Sequence, residues 1–358
     1  MKKHKSIAAL ILLAALSVLA LWARNKVHFD FRVFQSQIAL ADWHKIFIGV
    51  ACIFIAYLFR AARWALLLRH NKKVPLFSLT GTQVIGFTAV ALIGRVADPV
   101  RPYLVAKRTG LSVSTQIAVY ITERLFDAGS MALIFSSVIL FNTWFGQPGS
   151  MPHPEFVKKA GLWGMGLTIL GALFLVCVRL SGGFVASVFE KVFGLVSHNL
   201  GQAAGHKIRA FHAGLDTMRS FSDFAIASGV SISMWAIISF AYLETMRAFT
   251  ASPELAGMSL AQCMLLLAVS GGASVIQLPV VGWFSQIALV AAALSSFFGA
   301  SPEAATACAA TILFVTFLSV IPIGLVWARF EHVSLRKLTA ESEHAEEELT
   351  EPVSALRT

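Results

Sequence analysis

From residue 7 to residue 23 this chain carries no ionisable side chain, and apolar blocks of similar length recur at 46–68, 116–141, 161–178, 224–249 and 303–328. The hydrocarbon core of a bilayer is about 30 Å thick, a distance that an α-helix covers in roughly 20 residues. In lipid a helix satisfies its own backbone hydrogen bonds, so such blocks read as membrane-spanning helices. Composition agrees. Hydrophobic residues make up 57% and charged residues 13%, against roughly 45–50% and about 25% in ordinary soluble chains. The expectation is an all-α, polytopic integral membrane bundle. That class excludes a soluble enzyme, a nucleic-acid module and a secreted disulfide scaffold. The net charge of +10 fits basic residues flanking membrane spans rather than a nucleic-acid partner. Cys52, Cys177, Cys263 and Cys308 stand apart in apolar segments with no C-x-x-C pair, and read as small packed hydrophobes.

Two further apolar regions are interrupted. Residues 79–105 contain Gly94-Arg95-Val96-Ala97-Asp98-Pro99-Val100-Arg101-Pro102, and residues 260–298 contain Gly271-Gly272 and Gln277-Leu278-Pro279-Val280-Val281-Gly282. Glycine, proline and polar residues at that depth break the helical ladder, which a membrane tolerates where protein or a water-filled cavity satisfies the freed groups. Both regions read as re-entrant hairpins, giving about six full spans plus two hairpins. With that count the larger share of the 29 Lys and Arg residues falls on the cytoplasmic side, as the positive-inside rule requires. Both termini are then cytoplasmic, and the hairpins enter from opposite faces, as an inverted repeat would place them.

The expected organisation is a transmembrane domain over residues 1–338 and a disordered acidic tail over 339–358. Within the former, residues 181–222 form a polar cytoplasmic linker. In that linker Val185, Val188, Phe189, Val192 and Val196 share one helical face, as do Ile208, Phe211, Leu215 and Met218. Two amphipathic surface helices follow from this spacing. His198, His206 and His212 match no metal-ligand spacing and read as solvated side chains.

Ionisable residues inside the spans carry the functional signal. A charge at mid-membrane costs about 2.5–3.5 kcal/mol on insertion scales, so it needs a partner or a wet cavity. Glu123, Arg124 and Asp127 sit within one turn and should face inward. Arg60 and Arg63 lie near one end of their span, where two readings stand: snorkelling to the interface, or a place in the same inward network. Glu244 and Arg247, three apart, read as a local ion pair. In the first interruption Arg95 and Arg101 bracket Asp98. A broken helix leaves free N–H groups that favour an anion, and guanidinium adds a bidentate grip suited to phosphate. The rival reading is a cytoplasmic loop with a structural Arg–Asp pair.

These motifs carry a family resemblance. Gly94-Arg95-x-x-Asp98-x-x-Arg101-Pro102-Tyr103-Leu104 followed by Glu123-Arg124-x-x-Asp127, with Arg60-Ala61-Ala62-Arg63-Trp64 upstream and Gln277-Leu278-Pro279-x-x-Gly282 downstream, resembles the lysylphosphatidylglycerol synthase transmembrane-region family, also called flippase-like. The chain departs from the family pattern at Ala97-Asp98, where Gly-Glu is usual, and at Gln286, where a glutamate is usual. The resemblance implies movement of a lipid or lipid-linked headgroup between leaflets. The cost of ionisable groups in lipid gives the expected site: Arg95 and Arg101 grip an anionic headgroup, Asp98 orients one of them, Glu123, Arg124 and Asp127 form the facing wall, and Gln277 and Gln286 add neutral hydrogen bonds, with Arg60 and Arg63 as further candidates. Some family members carry an aminoacyl-transferase domain after the membrane part; the short stretch after the last span leads to the expectation that lysine transfer is not this chain's task.

Other classes stay open: an accessory protein of lipid, glycan or hopanoid biosynthesis, a membrane-embedded lipid-modifying enzyme, or a small-solute transporter. An enzyme would need a nucleophile or metal cluster, and H-E-x-x-H, G-x-S-x-G and D-x-D patterns are missing. The expectation is a carrier in the bacterial inner membrane that uses no cofactor and binds no nucleic acid. Its partner is an anionic membrane lipid.

Overall fold

The computed structural model describes residues 29–141, 154–215, 220–273 and 281–331, and every regular element in them is a helix. Helix α1 (Phe31–Ala39) starts at Asp30, whose carboxylate accepts from the Arg32 amide at 2.8 Å. Helix α2 (Trp43–Leu68) starts at Asp42, which caps the His44 and Lys45 amides. Such caps satisfy donors that the helix itself leaves orphaned. Helix α3 (Leu76–Ile93) ends at Gly94, whose φ of 90° is open to glycine but strained for other residues. A single 3-10 turn, Arg95–Ala97, and Pro99 separate it from helix α4 (Val100–Thr109). The break thus lies where the glycine and prolines put it. Helix α3 is itself long and apolar enough to cross a membrane.

Helix α5 (Val113–Leu140) is 28 residues long and carries the Glu123-Arg124-x-x-Asp127 motif at its middle. Helix α6 (Pro154–Gly194) runs on far beyond the expected span at 161–178, with a break in helical geometry at Ser181 (φ −146°, ψ 47°). The break falls where the polar linker was expected to begin, and the helical stretch after it, up to Gly194, lies where the first amphipathic helix was expected. The second is helix α7 (His198–Leu215), which folds back on α6. A Cβ at Gly201 or Gly205 would meet backbone or side-chain atoms of α6 around Glu190, so small residues set this close approach.

Helix α8 (Phe221–Arg247) opens with a capping box between Ser220 and Asp223. It lies antiparallel to α2: at one end the Asp42 amide bonds the Ala248 carbonyl at 2.8 Å, and at the other Asp223 takes both Arg69 and His70. After the short helix α9 (Pro253–Ala256), helices α10 (Leu260–Ala273) and α11 (Val281–Phe298) pack on each other across the second interruption. Helix α12 (Pro302–Leu313) passes through a π turn, Phe314–Leu318, into helix α13 (Val320–Phe330). Pro322 lacks the N–H that would bond the Leu318 carbonyl, and the chain widens just upstream of it.

Four described helices are long and apolar enough to cross a membrane: Trp43–Leu68, Leu76–Ile93, Ser222–Arg247 and Pro302–Phe330. A fifth candidate is the pair Gly161–Gly171 and Val176–Gly194, bent by 66°. Helix α5 has the length, but its three central charges keep it from being apolar. The span expected at 7–23 and the acidic tail lie outside the described residues. The main apolar core joins α2, α8, α10, α11 and α12, with Met246, Leu266, Leu294 and Cys308 fully buried. A second cluster gathers Trp64, Leu68, Phe126 and Val178 around the α2–α5 contact.

Candidate functional site

Helix periodicity puts Arg60, Arg63 and Trp64 on one face of α2, and Glu123 and Asp127 on one face of α5. The two faces meet inside the bundle. Arg63 contacts Asp127 at 2.8 Å and Glu123 at 3.1 Å, and Arg60 contacts the same pair at 3.2 and 3.4 Å. Arg124 turns back onto its own helix, 2.7 Å from Glu123 and 2.9 Å from Asp127. From α4, Arg101 reaches Glu123 at 3.2 Å and donates to the Gln83 side-chain carbonyl at 3.0 Å. One oxygen, Glu123 Oε1, thus receives four guanidiniums.

Of the two readings of Arg60 and Arg63, the structure selects burial. Arg63 and Arg101 have no exposed surface, and Glu123 has 1%. The apolar positions around them are aromatic. The Arg101 guanidinium lies 4.5 Å from the Phe87 ring centroid and 4.9 Å from that of Tyr120, while Arg60 lies 5.0 Å from Phe87. Ring faces attract such cations, more so when water is excluded. Space for the Arg101 stem comes from Gly86 on α3, where a Cβ would run into Arg101 Cγ. Neutral donors complete the network. Trp235 of α8 donates to Asp127 at 3.2 Å, Arg63 donates to Ser231 at 2.7 Å, and Trp64 donates to Gln116 at 3.0 Å.

Charge does not balance here. Arg60, Arg63, Arg101 and Arg124 face Glu123 and Asp127, an excess of two positive charges. Left uncompensated at mid-membrane, two charges would cost about 5–7 kcal/mol on the insertion scale. Hydration from a cavity offsets part of that. A cavity of about 190 Å³ lies against the cluster, with Arg60 and Arg124 on its wall beside Arg95, Asp98, Tyr57 and Phe87. Arg63, Arg101, Glu123 and Asp127 stand behind that wall. The far side is neutral and comes from α8, α10, α11 and the π turn. There Tyr242 shares a hydrogen bond with Ser270 at 3.0 Å, and Gln286 donates to the same hydroxyl at 3.2 Å. Thr316 lines this side too.

Several expectations need correction. Arg95 and Arg101 do not stand together: Arg101 turns inward to Glu123, while Asp98 faces Arg95 at 3.7 Å on the half-open rim. Glu244 and Arg247 form no ion pair, because Arg247 donates to the Met258 carbonyl at 2.9 Å and anchors the α8–α10 connection. Gln286 is buried on the cavity wall opposite the arginines, whereas Gln277 lies outside the described residues. Gln83, Gln116, Ser231, Trp235, Tyr242 and Ser270 were not singled out from the sequence. The signal for the two glutamines was present, since a buried amide in an apolar span also demands a partner.

The match to known proteins is at the level of the family. No curated protein and no solved structure matches the chain. The family model described as Lysylphosphatidylglycerol synthase TM region matches residues 6–324, which include the whole arginine–carboxylate cluster and the neutral wall. This is a multi-pass membrane protein, and it belongs to the lysylphosphatidylglycerol synthase TM region family.

Proposed function

We propose that the chain moves an anionic phospholipid or lipid-linked headgroup between the leaflets of a bacterial plasma membrane, without changing it chemically. The observation that carries this reading is the cationic excess at the cavity wall, where Arg60 and Arg124 are held by shared carboxylates rather than by private ones. A guanidinium that shares its carboxylate can exchange that partner for a phosphate without leaving a bare charge behind. Bidentate geometry suits the exchange, because the same planar fork fits both anions. Sharing also matters for release, since a headgroup gripped by unpaired arginines would be held rather than passed on.

The interrupted apolar regions 79–105 and 260–298 serve in this reading as two re-entrant hairpins entering from opposite faces. Both termini and the 181–222 region then lie on the cytoplasmic side. Arg101 and Arg63 act through Glu123 and Asp127 as positioning residues. The two carboxylates that a lipid-modifying enzyme would use as bases are each engaged by three or four guanidiniums. That favours an electrostatic part for them over proton transfer.

The test is translocation of a fluorescent anionic phospholipid in liposomes holding the purified chain, read by quenching of the outer leaflet. Wild type should speed the movement, and Arg124→Gln should slow it about tenfold at unchanged folded yield. Movement no faster than in empty liposomes, or a covalently altered lipid product, would overturn the reading.

A further inference from the structure

We infer that the cavity takes a headgroup with two negative charges on phosphate joined to an uncharged, hydroxyl-bearing part, as in a glycosyl diphosphate carried on a lipid, and turns away cationic headgroups. This deepens the translocation reading above and rests on it. The first ground is charge stoichiometry. Three buried arginines and the part-exposed Arg124 face two buried carboxylates. Arg95 and Asp98 on the rim offset each other, and residues 274–280 contain no ionisable side chain. A headgroup with a single negative charge leaves one guanidinium charge unbalanced. A dianion neutralises the excess.

The second ground is an unmet donor. Arg124 Nε, on a residue of the cavity wall, is buried without a hydrogen-bond partner. A buried donor left unmade is costly, and one on a cavity wall points to an occupant that accepts a hydrogen bond. The third ground is the far wall. Tyr242, Ser270, Gln286 and Thr316 are all neutral there, and the buried Gln286 Oε1 is an acceptor with no donor. A ligand hydroxyl supplies that donor. A ligand ammonium would need a carboxylate, and among the described residues lining the cavity the one carboxylate, Asp98, faces Arg95. The volume sets the scale: about 190 Å³ holds roughly six waters at about 30 Å³ each, enough for a diphosphate and part of a sugar while the lipid chains stay in the bilayer.

The test uses the full chain in liposomes with four labelled lipids: a polyprenyl diphosphoryl hexose, phosphatidylglycerol, phosphatidylcholine and lysylphosphatidylglycerol. The diphosphate lipid should move at least tenfold faster than phosphatidylglycerol, with the zwitterionic and cationic lipids near the rate of empty liposomes. Gln286→Glu should narrow that preference and bring lysylphosphatidylglycerol above background. Equal rates for the diphosphate lipid and phosphatidylglycerol, or fastest movement of the lysylated lipid, would overturn this inference and leave the translocation reading standing. If no lipid moves, both fall. Radiolabelled inorganic diphosphate supplies the last arm: entry of the free anion as fast as the lipid moves would assign the site to a soluble phosphate instead.

Discussion

The two walls of the cavity solve one problem in different ways. On the α2–α4–α5 side, polar groups are charged and are satisfied by sharing: two carboxylates serve four guanidiniums. On the α8–α10–α11 side, polar groups are neutral, and one serine hydroxyl serves a tyrosine and a glutamine. Removing a member of the first wall uncovers a charge in a medium that cannot solvate it. Removing a member of the second uncovers only a dipole. The charged wall should therefore be the stiffer and the more sensitive to substitution, and the neutral wall the place where specificity can change at small cost to the fold.

The most damaging change should be Asp127→Asn, which leaves four arginines around one carboxylate. Breaking a buried pair in this way costs about 3–5 kcal/mol, and thermal unfolding in detergent should show a large drop in midpoint. An unchanged midpoint would mean that water, not Asp127, compensates the arginines. Next comes Gly86→Ala, where the added methyl displaces the Arg101 stem. Overpacking of this kind costs about 1–3 kcal/mol, and lipid movement should fall along with stability because Arg101 loses its hold on Glu123. Ser270→Ala strands Tyr242 and Gln286, a loss of about 1–2 kcal/mol. Its size should not depend on ionic strength, and a salt-dependent effect would show that the neutral wall is coupled to the charged one. The smallest effect belongs to Arg95→Gln, which removes a rim pair at 3.7 Å with a side chain 41% exposed. Such pairs are worth about 0–1 kcal/mol, so the unfolding midpoint should scarcely move.

Local chemistry was legible in the sequence, and partnership was not. Gly94, Pro99 and Pro102 announce a broken helix because their effect acts within a turn or two, and the structure breaks there. The cost argument also marked Glu123, Arg124 and Asp127 as inward-facing from composition alone. What each would touch depends on how α2 and α5, whose paired residues lie 63 and 67 positions apart in the chain, rotate against each other, and no spacing rule reports that. For the same reason Arg60 and Arg63 stood between two readings until packing chose one. The local rule for Glu244 and Arg247 failed where a competing acceptor, the Met258 carbonyl, lay nearer in space than the partner three residues away. The start of the linker was legible because the chain turns polar at Ser181, where helical geometry also breaks.

The wide turn at Phe314–Leu318 governs more than the shape of one span. Its closing bond runs from the Ser319 amide to the Phe314 carbonyl at 2.8 Å, so it holds one residue more than an ordinary turn. At 3.6 residues per turn, one extra residue rotates everything beyond it by about 100°. That rotation sets the phase in which α13 meets α3, with Gly324 against Thr88 and Trp327 against Gly81. Thr316 reaches the cavity from within the wide turn itself. The extra residue therefore acts as a phase shifter between two docking surfaces on one helix: α12 keeps its grip on the core while α13 is aimed at the helix that carries Gln83 and Gly86. Shortening the chain there by a single residue would leave length and hydropathy almost untouched, yet would swing the Gly324 face off α3 and so remove the support behind Arg101.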